Sequence, residues 1–247
     1  YLDIESAMAA EEGPATEENV LKLLKRNPIG RTEDVLRFVE LLSNMEDACY
    51  SIALNGEWGS GKTFFVKQVK LILDAQNPQS SIPEKTRNEI KRIVQNRLSV
   101  PDSYTSVYYD AWANDNHEDP LLSLIYEVIH SGQSSYTPER ERNLCTAISN
   151  IADLLTGRNV SDVLNDLRGK DKLENIQKEA SLKELVREFI NNLIEEHGNR
   201  LIIFVDELDR CKPDYAIRFL ERIKHYFDDD RVTFVFSVSL SQLQWTV

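Results

Sequence analysis

The 247-residue chain has three cysteines, four histidines, nine glycines and no apolar run of membrane-spanning length, and each scarcity removes a class of protein. Cys49, Cys145 and Cys211 are far apart, odd in number and never spaced C-x-x-C. That argues against a disulfide framework or a structural zinc site and points to a reducing compartment, so a cytoplasmic location is expected. His117, His130, His197 and His225 form no H-x-x-x-H or H-E-x-x-H pair, so each reads as a surface or core residue rather than a zinc ligand. Few glycines disfavour a collagen-like or turn-dense all-β chain. The most apolar stretches, Leu201–Val205 and Val232–Val238, have strand length and fall well short of the ~18–20 residues that cross a bilayer.

Positive charge is also scarce. Lys+Arg is 29 against 41 Asp+Glu, a net charge of −12, which argues against a surface built to coat nucleic acid and leaves room only for a local basic groove. What remains is ordinary for a folded soluble protein: 41% hydrophobic and 28% charged residues. At roughly 150 residues per domain the length gives one large domain or one with an appendage. The chain starts at Tyr1 without Met or a signal-peptide pattern and ends directly after an apolar strand, so it reads as part of a longer protein.

Residues 1–27 read as an acidic arm (Asp3, Glu5, Glu11, Glu12, Glu17, Glu18) that ends in a short helix. A domain is expected over 28–247, with mainly helical insertions at about 75–103 and 131–198. Asn27-Pro28-Ile29-Gly30 breaks the chain. Thr32 reads as an N-cap for a helix carrying Val35, Leu36, Val39 and Leu42. Strand-like runs at Ala48–Leu54, Tyr104–Asp110, Arg200–Val205 and Arg231–Val238 alternate with helical periods at Phe64–Leu73, Glu84–Leu98, Pro120–His130, Ser181–His197 and Asp214–Phe227. Ser131–Ala180 reads as mixed and mostly helical, broken at Gly157 and Gly169. Most of the strand runs lack polar alternation, which marks a parallel sheet covered by helices on both faces, an α/β architecture.

Gly56-Glu57-Trp58-Gly59-Ser60-Gly61-Lys62-Thr63 satisfies G-x-x-x-x-G-K-[ST] between an apolar strand and an amphipathic helix. Glycines let backbone N–H groups converge on phosphate oxygens, and the helix beginning near Lys62 adds its N-terminal partial positive charge. Lys62 is expected to reach the β- and γ-phosphates, and the Thr63 hydroxyl to ligate Mg²⁺. Leu201–Val205 then delivers Asp206 and Glu207 at a strand end. Asp206 is expected to hold Mg²⁺ through a coordinated water, and Glu207 to polarise a water attacking the γ-phosphate. The separation from 62 to 206 requires sizeable insertions. For Arg210 two readings stand: a transition-state or interface cation, or a salt bridge to Asp206 or Asp209 that fixes the loop.

These residues resemble the KAP family of P-loop NTPases. The resemblance rests on GEWGSGKTFF (Gly56–Phe65), YYDAW (Tyr108–Trp112) and IIFVDELDRCKPDYAIRFLERIKHYF (Ile202–Phe227), and covers about residues 28 to 243. It implies an additional-strand P-loop core of sheet order 5-1-4-3-2, with strand 5 missing from this chain, and it adds Phe64 to the nucleotide-binding residues. It implies ATP and Mg²⁺ as ligands. The family joins a neuronal membrane scaffold and a phage-exclusion protein, and its bacterial members are often linked to antiviral defence. The membrane hairpin of some members is absent here. Two departures stand out: Glu207 occupies a position where the family commonly has a second Asp, and Ser237 and Ser239 are the polar residues where an acidic γ-phosphate sensor often lies. Pro28-Ile29-Gly30-Arg31-Thr32-Glu33 is similar to an element that shapes the adenine pocket in AAA+ and STAND ATPases, which assigns Arg31 to the nucleotide and favours ATP over GTP.

Weaker features read conservatively. The basic helix Lys85, Arg87, Lys91, Arg92, Arg97 is interrupted by Glu84 and Glu89, lacks interleaved aromatics, and reads as a solvated face. Trp58 is expected to brace its loop and Trp112 to lie in the core. The resulting expectation is a Mg-dependent ATPase acting as a nucleotide-controlled switch for self-assembly or for an effector elsewhere in the full-length protein. The alternative is a nucleotide-sensing module with little turnover. Without strand 5 and an assured arginine finger, turnover by this chain alone stays open.

Overall fold

A computed structural model describes residues 14–27, 30–45, 50–94, 104–131, 146, 148–155, 171–197 and 200–246. The acidic residues before position 14, Pro28, Ile29, Ala48, Cys49, Arg97, Cys145, Gly157 and Gly169 lie outside them.

Four strands form one parallel sheet: β1 (Tyr50–Asn55), β2 (Tyr104–Asp110), β3 (Arg200–Asp206) and β4 (Val232–Val238), in the order β1-β4-β3-β2. That is the expected order less strand 5. β3 is buried along its whole length and β2 and β4 nearly so, as their unbroken Val/Ile/Phe/Tyr runs require. β1 differs. Ser51, Ala53 and Asn55 are exposed, and no second neighbour pairs with this strand among the described residues.

The period of two divides the sheet between two cores. Leu201, Ile203 and Val205 point into one, with Val107, Tyr109, Phe234 and the helices α5 (Pro120–Ser131), α6 (Asp171–His197) and α7 (Pro213–Tyr226). Ile202 and Phe204 point into the other, with Val235 and the helices α1 (Glu17–Arg26), α2 (Arg31–Ser43), α3 (Lys62–Gln76) and α4 (Glu84–Val94). A short helix α8 (Leu240–Thr246) follows β4.

α1 belongs to the packed body: Val20 and Leu24 are buried against α3. The start of α2 corrects one expectation. Its N-cap is Gly30, at φ 73°, while Thr32 lies within the first turn and is buried. The Thr32 hydroxyl donates to the Leu24 carbonyl at 3.0 Å, and its N–H to Asn27 Oδ1 at 3.0 Å, tying α2 to the end of α1. α6 begins about ten residues before the expected Ser181. The basic helix α4 is also not simply a solvated face. Lys85, Lys91 and Arg92 are exposed, but Arg87 is buried and donates to the carbonyls of Ala75, Asn77 and Ser80 at 2.7–3.1 Å, satisfying the C-terminal end of α3 and the turn after it.

Phe219 of α7 is fully buried and stacks on Tyr109 of β2 with centroids 5.2 Å apart. Phe219→Ala should therefore destabilise the fold by about 3–5 kcal/mol. Urea denaturation reads this directly, and a loss below about 1 kcal/mol would mean that α7 does not anchor on the sheet in this way.

Candidate functional site

In a parallel sheet all strand carboxyl ends share one edge, where ligands of open α/β folds bind. Here that edge carries the loop after β1, the acidic turn after β3 and the end of β4. The register places Ser237 of β4 between Leu54 of β1 and Asp206 of β3.

Gly56 N–H donates to the Val238 carbonyl at 3.2 Å, seating the start of the loop against β4. Gly59 and Gly61 each have φ 79°, a conformation costly for any side chain. Gly56 is close-packed instead: a Cβ there would lie 2.8 Å from Ser60 Oγ. Lys62 and Thr63 form the first turn of α3. Lys62 Nζ folds back to donate to the Gly56 carbonyl at 2.7 Å and the Glu57 carbonyl at 3.0 Å. The Glu57 side chain is exposed.

Asp206 is 1% exposed, and a buried carboxylate must be met by donors. Thr63 Oγ1 donates to its Oδ2 at 2.7 Å, Tyr108 OH to the same oxygen at 2.9 Å, and the Glu207 N–H to Oδ1 at 3.1 Å. Burial, followed by the charge of Asp206, holds the Tyr108 phenol well above its ordinary range, so it stays a donor. Lys67 Nζ lies 4.5 Å from the centre of the same ring.

Glu207 takes a left-handed backbone, φ 62°, ψ 20°, at the head of a 3-10 turn over Leu208–Arg210. A non-glycine residue held there is strained, as at many functional turns. Burial and then the neighbouring Asp206 charge raise its carboxyl above the usual range, while Arg210 opposes the rise. Arg210 Nε forms an ion pair with Glu207 Oε2, which replaces both expected partners, Asp206 and Asp209. Asp209 instead accepts from Trp58 Nε1 at 2.8 Å. The Arg210 guanidinium lies 5.2 Å from the Trp58 ring centre and 5.9 Å from that of Trp112. Trp58 thus braces its loop, as expected, against the acidic turn. Trp112 is 54% exposed and is not a core residue. Cys211 Sγ donates to the Glu207 carbonyl at 3.6 Å, and burial pushes its thiol up to about 12.

A cleft of about 270 Å³ runs between these parts, lined among others by Trp58, Lys62, Thr63, Phe64, Asp206 and Glu207. Asp209, Arg210 and Ser237 also reach it. Ser237 Oγ is buried there with no hydrogen-bond partner. Ser239 turns away, its Oγ 3.1 Å from Ser241 Oγ. Arg31 does not line the cleft: Nη2 donates to the Ser60 carbonyl at 2.8 Å and Nη1 to the Gly61 carbonyl at 3.3 Å, behind the loop. A larger hollow of about 620 Å³ beside α6 and α7 contains Lys183 and Arg222, with which Asp228 and Asp119 pair.

The residue that sequence reasoning passed over is Tyr108. Its signal was the strand period: Tyr108, Phe204 and Asp206 share one face once β2 and β3 are known to be neighbours, with Tyr108 opposite Phe204. Among the described residues no three His, Cys, Asp or Glu side chains converge on one point, and no helix is long and apolar enough to cross a membrane.

No curated protein matches the sequence significantly. A family model described as the KAP family P-loop domain matches residues 33–246, spanning all four described strands and every residue that lines the cleft except Ala15. The glycine loop after β1, the acidic end of β3 and that match agree, and the chain belongs to the KAP family of P-loop NTPases.

Proposed function

We propose that the chain binds Mg·ATP in the cleft at the strand ends and hydrolyses it, its nucleotide state switching self-assembly or an effector carried elsewhere in the full-length protein. The observation that carries this reading is the 2.7 Å hydrogen bond from Thr63 Oγ1 to Asp206 Oδ2, which joins two motifs 143 residues apart at one point. The donor set suits Mg²⁺: two hard oxygens, one of them a buried carboxylate, and no three-residue cage among the described residues. Magnesium retains several waters and needs only one or two protein ligands. Thr63 and Asp206 would hold it, and when bound it would neutralise charge on the phosphate oxygens.

The chain's own groups do the rest. Loop N–H groups and the start of α3 receive the phosphates, and Lys62 exchanges its loop carbonyls for phosphate oxygens. Ser237, buried and unpartnered beside Asp206, has a hydroxyl free to donate into the cleft. Glu207 holds a water and takes its proton once Arg210 releases the carboxylate. The choice of ATP rests on the likeness of residues 28–33 to an adenine-pocket element, although the Arg31 side chain itself is tied to the Ser60 and Gly61 carbonyls.

The Glu207–Arg210 ion pair favours one second reading, a nucleotide sensor that turns over little, because it occupies the proposed base. A cytoplasmic, reducing setting fits Cys211, which is buried and unbridged.

Lys62→Ala should weaken Mg·ATP binding by about 2 kcal/mol or more, the loss of a charge-assisted contact. Titration calorimetry reads it, and an unchanged affinity would remove the site. Glu207→Gln preserves shape but not charge, so it should leave binding intact and slow turnover about 10²–10⁴-fold. Hydrolysis at the wild-type rate would reject Glu207 as the base, and a wild-type protein that binds without hydrolysing would favour the sensor. Tyr108→Phe removes one of three donors to Asp206. It should raise the Mg²⁺ concentration needed for half-maximal nucleotide binding by about 10–100-fold, the usual effect of removing a partner that orients a metal-holding carboxylate, without abolishing binding. An identical Mg²⁺ titration would show that the phenol does not hold the carboxylate.

A further inference from the structure

We propose that Arg31 is a positioning residue for the phosphate loop, holding the Ser60 and Gly61 carbonyls from behind so that the following N–H groups face the cleft. The inference rests on the nucleotide reading above and replaces the adenine-pocket role expected for this residue.

Arg31 is the first residue of α2, just after Gly30 in its left-handed turn. Its guanidinium is planar and presents two N–H donors in a fixed fork, and the fork meets two successive carbonyls at 2.8 and 3.3 Å. A trans peptide points its C=O and N–H in opposite directions. Fixing the Ser60 carbonyl therefore sets the direction of the Gly61 N–H, and fixing the Gly61 carbonyl sets that of the Lys62 N–H. These amides lie at the N-terminus of α3, where a phosphate is to be received. The Gly61 carbonyl also accepts the Phe65 N–H at 3.0 Å, so the same oxygen is tied to the helix and to Arg31.

Gly61 is shaped for this contact. Beyond its φ of 79°, a Cβ at this position would collide with Arg31 Nη1. The glycine thus provides both a backbone conformation and a seat for the guanidinium. On the other side, α2 is tied to α1 through the Thr32 bonds to Asn27 and Leu24. The path from α1 to the phosphate loop is short and polar: Leu24 and Asn27, Thr32, Arg31, then Ser60 and Gly61. These bonds link α1 and α2 to the phosphate loop.

A residue that sets amide direction acts on the phosphates and is blind to the base. A residue that shapes an adenine pocket acts on the base alone. The intact protein, as wild type, Arg31→Ala and Arg31→Lys, is titrated with Mg·ATP, Mg·GTP and inorganic tripolyphosphate, and its thermal midpoint is measured without ligand. Arg31→Ala should lose affinity for all three by the same factor, about 10–100-fold, since the two lost bonds act on the phosphates only through the loop. Arg31→Lys should lose less but equally for all three, since an ammonium keeps the charge without the fork. A loss confined to ATP, or unchanged affinity for all three, overturns the proposal. If Arg31→Ala does not fold, Arg31→Lys decides: an ATP-only loss or wild-type affinity again overturns it. A wild type that binds none of the three removes the nucleotide reading and the cradle together, whereas wild-type binding beside an unaffected Arg31 variant removes Arg31 alone.

Discussion

Asp206 is a carboxylate with almost no access to water, and its burial constrains the whole strand edge. Polar oxygens buried in that position are costly unless donors meet them. The donors come from three separate places: the hydroxyl of Thr63 on α3, the phenol of Tyr108 on β2, and the next backbone N–H in β3's own chain. For all three to meet, β2 must lie beside β3 and α3 must cross that face of the sheet. The order β1-β4-β3-β2 satisfies both conditions, since the loop after β1 then reaches over β4 to the end of β3.

The same edge also shows how the loop is held from several sides. Gly56 hangs on β4, Trp58 on Asp209, and the Ser60 and Gly61 carbonyls on Arg31. Lys62 bridges the loop internally through the Gly56 and Glu57 carbonyls. A loop built of φ-positive glycines would otherwise lose much conformational entropy on ordering. These ties, one through the backbone and the others through side chains, offset that cost. They also leave Lys62 on contacts that a stronger anionic partner can displace.

Local signals in the sequence carried the strands, the glycine loop and the acid pair. β2 and β4 begin and end where their apolar runs do, and β3 extends one residue further at Asp206 because its backbone stays in register with Asp110 of β2 and Ser237 of β4. The sheet order came from the likeness to a family, since no run of residues states which strand lies beside which. What could not be read locally is what depends on that adjacency. Tyr108 meets Asp206 across 98 positions and Trp58 meets Asp209 across 151. Arg87 looked like one more surface cation, because the carbonyls that bury it belong to another helix's end. Thr32 looked like a cap, because the Leu24 carbonyl that takes its hydroxyl is brought near by a reversal at Asn27 and Gly30. The salt-bridge reading of Arg210 offered Asp206 or Asp209 as partner, and the ion pair is with Glu207 between them. The left-handed backbone at Glu207 turns that side chain toward Arg210, and a residue string does not reveal a positive φ at a glutamate.

Trp58 and Trp112 are both about half exposed, and both lie within 6 Å of the Arg210 guanidinium. The chain has three tryptophans, and the third, Trp245, belongs to α8 after β4. Two of the three indoles therefore surround the cation that pairs with Glu207. Indole emission responds to nearby charge and to water, so the protein's own ultraviolet fluorescence is weighted toward this cleft. Any rearrangement that draws Arg210 off Glu207 changes the surroundings of two fluorophores together. The state of the ion pair is thus visible optically without a label attached to the chain.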